Sequence, residues 1–106
     1  MNRYKFIQGL NSNLEFSEKE RRRILRKSVE KDPWKTKCTI VMEEFAELQQ
    51  QVSKQIRGYG DENGLLEEMA DAYIRLNFLE SIFNVPKEQL QKAIDVKLYR
   101  LKENLK

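Results

Sequence analysis

Met42-Glu43-Glu44-Phe45-Ala46-Glu47 and, after a turn, Glu67-Glu68-Met69-Ala70-Asp71 decide how this chain folds. Each acidic cluster is set in an apolar helical pattern. Glu44 and Glu47 are three apart, as are Glu68 and Asp71, and residues three apart share one face of a helix. Between the clusters, Arg57-Gly58-Tyr59-Gly60-Asp61-Glu62-Asn63-Gly64 is a turn signal that folds one helix back antiparallel to the other. Four carboxylates then meet between two helices. Like charges held that close stay ionised only with something positive among them. A hard cation with oxygen ligands is the simplest candidate, and magnesium suits it.

The helix carrying the first cluster is expected from about Lys35 to Arg57, with Gly58 closing it. Val41, Phe45, Leu48, Val52 and Ile56 recur at steps of four and three, a single apolar stripe that Glu44 and Glu47 flank. Lys54 and Arg57 fall near its C-terminal end, where the helix dipole favours cations in any case. The second acidic helix is expected over about Leu65 to Phe83 and differs in kind. Leu66, Met69, Ala70, Tyr73 and Leu76 cover one side of it, while Ile74, Phe78, Leu79, Ile82 and Phe83 cover much of the other. A helix apolar nearly all round is buried or wrapped by partners. Glu68 and Asp71 share an angular sector with Arg75, Phe78 and Ile82, so they point into a face that should be covered. Carboxylates are almost never fully buried unless paired. Glu67 and Glu68 sit in the first turn of that expected helix, where the dipole alone favours acids. Asp71 lies beyond that turn and has poor helix propensity. Glu43 and Glu67 point about 100° away from their neighbours, toward solvent or a basic partner.

Working outward, Tyr4, Phe6, Ile7 and Leu10 form a short helical pattern that Asn11-Ser12-Asn13 breaks. Ser17-Glu18-Lys19-Glu20 fits a capping box and opens a helix to about Glu30. Its basic run from Arg21 to Lys27 suits either a phosphate-facing patch or an ordinary solvated face. Asp32-Pro33-Trp34 stops that helix, since the residue before a proline avoids helical geometry. After Asn84-Val85, a last helix is expected from Pro86 to about Asn104, striped by Leu90, Ile94, Leu98 and Leu101. Lys97 and Arg100 sit three apart beside that stripe, available to phosphate oxygens.

A length of 106 residues with 40% hydrophobic and 35% charged residues suits one domain of amphipathic helices whose core a partner chain helps to complete. The expected fold class is all-α, an antiparallel bundle of about four helices. Residues 1–33 form an N-terminal helical extension and residues 34–105 the core that carries the acidic motifs. Four Gly and two Pro argue against a turn-rich β architecture. Cys38 is the lone cysteine, which excludes an internal disulfide and a cysteine-built zinc site. There is no histidine, so chemistry must run on carboxylates, a metal, lysines and arginines. No apolar stretch approaches the roughly 18 residues of a membrane span, and no signal peptide is recognisable, so the expected address is the cytoplasm.

The pattern Glu43-Glu44-x-x-Glu47, a glycine-containing spacer, then Glu68-x-x-Asp71, resembles the MazG-like family of all-α nucleoside triphosphate pyrophosphohydrolases. Trp34, the Ser53-Lys54-Gln55-Ile56-Arg57-Gly58 run and Lys97-Leu98-Tyr99-Arg100-Leu101 extend the likeness to phage- and Firmicute-type members, over about Trp34 to Leu105. The resemblance implies that Glu44, Glu47, Glu68 and Asp71 ligate magnesium, with manganese as a substitute. It implies phosphate contacts from Lys54, Arg57, Lys97 and Arg100. It also implies hydrolysis of a nucleoside or deoxynucleoside triphosphate to the monophosphate and pyrophosphate, by a homodimer or a tetramer made of two dimers. Arg75 departs from relatives that carry an aromatic or histidine at this position.

With no histidine, an unligated carboxylate must accept the proton of the attacking water, and Glu47 or Glu43 is the expected base. Trp34 and Tyr73 are aromatics on which a nucleoside could stack. Two other classes fit the sequence: a non-catalytic helical interaction module, and a nucleic-acid binder using the Arg21–Lys27 patch. Neither nucleic acid nor membrane is the expected partner.

Overall fold

The computed structural model of the chain describes residues 2–106. Among them the secondary structure is helical: α1 (Arg3–Leu10), α2 (Glu18–Glu30), α3 (Trp34–Ile56), α4 (Glu62–Ile82) and α5 (Lys87–Asn104). The α3–α4 hairpin is the frame, with α2 packed mainly on α4 and also touching α3, and α1 against α4. Its register follows from residues that meet across it. Trp34 packs edge-to-face on Phe83, ring centroids 6.2 Å apart. Lys37 Nζ lies 5.2 Å from the centre of the Phe78 ring. Glu44 and Asp71 enter one cluster. Any Cβ at Gly64 would come within 2.9 Å of Gln51 Oε1. As α3 advances α4 recedes, so the two are antiparallel.

Local chemistry explains the ends. Gly58 takes φ +84°, where an L side chain is strained. Its N–H reaches Gln55 O at 3.1 Å while the Tyr59 N–H reaches Lys54 O at 3.2 Å, a pair of bonds that satisfies the last carbonyls of α3. Asn84 does the same at the end of α4 with φ 54°, and the Val85 N–H bonds Glu80 O at 2.9 Å. Ser17 caps α2, its hydroxyl accepting from the Glu20 N–H at 3.2 Å. Both prolines sit at N-cap positions, one residue earlier than a first-turn placement, with ψ of 146° at Pro33 and 142° at Pro86.

One boundary departs from the sequence expectation in a way that matters. Helix α4 starts at Glu62, three residues before Leu65, because Asp61 caps it by accepting from the Asn63 N–H at 3.1 Å. Glu68 therefore lies in the second turn, and Glu62 is the acid that the dipole stabilises. Gly64 falls inside the helix, where the side-chain ends of Arg3 and Gln51 pack against it and would have to move aside for a Cβ.

The core is small. Val41, Ala72 and Phe78 are its buried apolar residues. The α3 stripe is buried at Val41 but exposed at Val52 and Ile56, and the outer side of α4 leaves Leu66, Met69, Tyr73 and Leu76 in solvent. On α5, Ile94, Leu98 and Leu101 are all exposed. The chain exposes 8901 Å², about 2,700 Å² more than the ~6,200 Å² of a compact monomer of its mass. Its radius of gyration is 16.3 Å, where ~13 Å is usual at this length. Among the described residues no helix is long and apolar enough to cross a membrane.

Candidate metal centre

The hairpin register places Glu44 opposite Asp71 and Glu47 opposite Glu68. Glu44, Glu68 and Asp71 each offer a carboxylate oxygen within 4.8 Å of the other two. Glu47, one turn along α3, is exposed at the rim. It stands near enough to act on Glu68 through space. Three of the four acids expected as ligands thus converge, and the fourth borders them. Glu43 is exposed and turned to solvent.

Burial makes this more than a charged surface. Glu68 is only 8% exposed, and its Oε2 is buried with no hydrogen-bond partner. Glu44 Oε2 is in the same condition. Burial, and then the charges of Glu47, Asp71 and Glu44, push the Glu68 carboxyl up to about 7. Burial and then Asp71 raise Glu44 as well, against the pull of Arg75. A buried, unpartnered carboxylate is costly, and three convergent oxygens with no nitrogen or sulfur donor match the taste of a hard divalent cation. The residues present therefore fit such an ion.

The basic and aromatic residues are distributed unevenly. Lys54 shares the Glu47 face of α3, about 10 Å farther along the axis. Arg57 folds over Tyr59, its Cζ 4.8 Å from the ring centre. Lys97 and Arg100 are exposed on α5, a helix that makes at most marginal contact with the others. Trp34, still 55% exposed, meets Phe83 edge-to-face at the far end of the hairpin, and Tyr73, 75% exposed, lies on the outer side of α4. Along the α2 patch, Arg21 and Arg23 lie 3.8 and 3.7 Å from Glu18 and Glu20, which offsets part of its charge.

Two cations bearing on the hairpin were not singled out from sequence. Arg3 holds Glu67 (Nε–Oε1 2.8 Å) and Asp61 (Nη1–Oδ2 2.9 Å), and so is the basic partner expected for Glu67. Lys37 is 6% exposed and bonds Asp32 at 2.9 Å. Its signal was available, since Lys37 continues the Val41–Phe45 stripe one turn back. Arg3 had none, because its partners are some sixty residues away in sequence.

No protein-family model matches the chain, and neither a curated protein nor a solved structure matches it.

Proposed function

We propose that this chain is a magnesium-dependent nucleoside triphosphate pyrophosphohydrolase that works as a homo-oligomer, releasing pyrophosphate and a nucleoside monophosphate. The observation that carries the reading is Glu68: a carboxylate nine-tenths buried, without a partner, amid Glu44 and Asp71. The sequence resemblance of the two acidic motifs supplies the reaction class. Glu44, Glu68 and Asp71 would hold the cation, with Glu47 beside them. A bound magnesium ion supplies Lewis acidity toward the phosphate chain and a water of lowered pKa.

The chain's own groups do the rest. Glu47, exposed and outside the three-oxygen cluster, would take the proton of the attacking water, with Glu43 the alternative. Lys54, on the same face, meets the charge of the departing pyrophosphate. Lys97 and Arg100 serve phosphates from α5, and the exposure of that helix favours a site on a second copy. Tyr73 lies on the outer side of α4 and would contact a nucleoside only across such an interface. The apolar faces left open on α4 and α5 support self-association, since the single chain exposes about 2,700 Å² more than a compact monomer of its mass.

The same open faces favour a second reading, a helical interaction module. It accounts for the apolar surface and leaves Glu68 unexplained. Incubating the protein with magnesium and a panel of ribo- and deoxynucleoside triphosphates, and assaying pyrophosphate, separates the two. Release that disappears in Glu47→Gln and Asp71→Asn supports the hydrolase. No release from any nucleotide, or release that persists in both variants, overturns it.

A further inference from the structure

Arg75 stands one turn beyond Asp71 on α4, and its Nη2 lies 3.6 Å from Glu44 Oε1. Charge-assisted hydrogen bonds between guanidinium and carboxylate run at about 2.7–2.9 Å and are frequently bidentate. This contact is neither short nor forked. Arg75 Nε is buried with no acceptor, and Glu44 Oε2 is buried with no donor, so the pair leaves a mismatch on both sides. The guanidinium rests on the Phe78 ring, Cζ 5.3 Å from its centre. Lys37 is 5.2 Å from the same ring. Unmet donors in a largely covered site cost free energy. A half-made pair of this kind suits a group that exchanges one anionic partner for a better one.

We propose that Arg75 is the resident counter-ion of the carboxylate cluster: it neutralises Glu44 while no cation is bound, gives Glu44 up when a divalent cation binds, and then takes a phosphate oxygen of the substrate. The inference rests on the cation-dependent reading above and adds a coupling between the cation and the phosphate. A guanidinium and a divalent cation held by the same carboxylate repel each other, so each weakens the other's hold on Glu44. The phosphates that accompany the cation then give the freed guanidinium the forked acceptor that Glu44 does not. By linkage, cation and phosphate each strengthen the other's binding.

One substitution should therefore move two affinities in opposite directions. In Arg75→Gln the empty cluster loses its neutralising charge while the cation-filled cluster loses nothing. Calorimetric titration of magnesium chloride into nucleotide-free protein should show binding about three- to tenfold tighter than in the parent. Titration of inorganic pyrophosphate into magnesium-saturated protein should show binding weaker by about the same factor. Circular dichroism establishes that the variant is folded. If Arg75→Gln does not fold, Arg75→Lys carries the test: it keeps the charge and loses the fork. That variant should hold magnesium within about twofold of the parent and bind pyrophosphate more weakly. Unchanged or weaker magnesium binding in Arg75→Gln, or unchanged pyrophosphate binding in either variant, overturns the role of Arg75 alone. Absence of magnesium binding to the parent overturns the cation reading, and the role of Arg75 with it.

Discussion

Glu47 on α3 and Glu68 on α4 face each other across the hairpin, and after burial the charge of Glu47 is the strongest influence raising the Glu68 carboxyl to about 7. An acid held in that position works against the fold that holds it. Glu68→Gln keeps the shape and removes the charge. In cation-free buffer at about pH 8 it should stabilise the protein by on the order of 2 kcal/mol. Under the proposed function, magnesium should raise the parent's melting temperature and leave that of this variant unmoved, and pyrophosphate release should fall about a hundredfold or more in the variant. Thermal denaturation with and without magnesium checks the pair of effects; a destabilised, magnesium-responsive Glu68→Gln contradicts it.

The pH dependence follows with a definite sign. Glu68 has its carboxyl raised from 4.5 to about 7 in the folded chain, so between those values the folded state binds more protons than the unfolded state. Stability from this group is fully present below about pH 4.5 and is lost as pH rises through about 7. The loss is on the order of 3 kcal/mol for a shift of this size. Glu44, also raised, adds in the same direction. Urea denaturation in EDTA should find the protein weaker at about pH 8 than at about pH 5. Saturating magnesium should reverse that slope, because deprotonated ligands bind the cation more tightly. A cation-free protein that gains stability across this range would count against the buried acid.

Lys37 and Asp32 make a second experiment, on the corner between α2 and α3. The ammonium is 6% exposed, and Asp32 Oδ2 lies 2.9 Å from it. Removing one member of a buried pair costs about 3–5 kcal/mol, because the other charge is left uncompensated. Asp32 is partly exposed, so Asp32→Ala should fall below that range, at about 1–3 kcal/mol. Lys37→Met keeps the packing on Phe78 without the charge and should cost less than Asp32→Ala. Chemical denaturation of both variants ranks them, and the reverse order refutes the account.

How much of this was legible depends on distance along the chain. Helix periodicity, the turn at Gly58 and the cap at Ser17 are local, and the sequence carries them within a residue or two. The meeting of Glu44 with Glu68 and Asp71 was legible too, because a hairpin turns two local patterns into one register. The start of α4 was missed because Gly64 is a breaker by propensity. The Asp61 cap nevertheless starts the helix ahead of it, and the ends of Arg3 and Gln51 close over the space beside its Cα. Arg3's hold on Glu67 and Asp61 depends on where α1 docks, which no spacing encodes. The all-round apolar α4 was expected to be buried or wrapped by partners, and within the single chain its Leu66, Met69 and Tyr73 face is open.

That open face yields the last prediction. Apolar stripes on α4 and α5, with about 2,700 Å² of surface beyond a compact monomer, leave the isolated chain short of a sufficient core. Sedimentation at micromolar concentration should therefore find a dimer or larger assembly. Leu98 is 53% exposed at the middle of the α5 stripe, and Leu98→Asp would place a charge in the proposed interface. It should shift the protein to monomer, with a lower and concentration-independent melting temperature. If Lys97 and Arg100 serve the site of a neighbouring copy, two inactive variants should complement each other. Glu68→Gln lacks a working cluster, and Lys97→Ala with Arg100→Ala lacks the phosphate ligands. Refolded together, they form mixed assemblies in which one site has an intact cluster and receives intact cations. Recovery of about a quarter to a half of the parent's activity in the mixture is the expected result for sites of this shared kind. A parent protein that sediments as a monomer removes the interface, and a dead mixture from a stable oligomer returns Lys97 and Arg100 to ordinary surface charge.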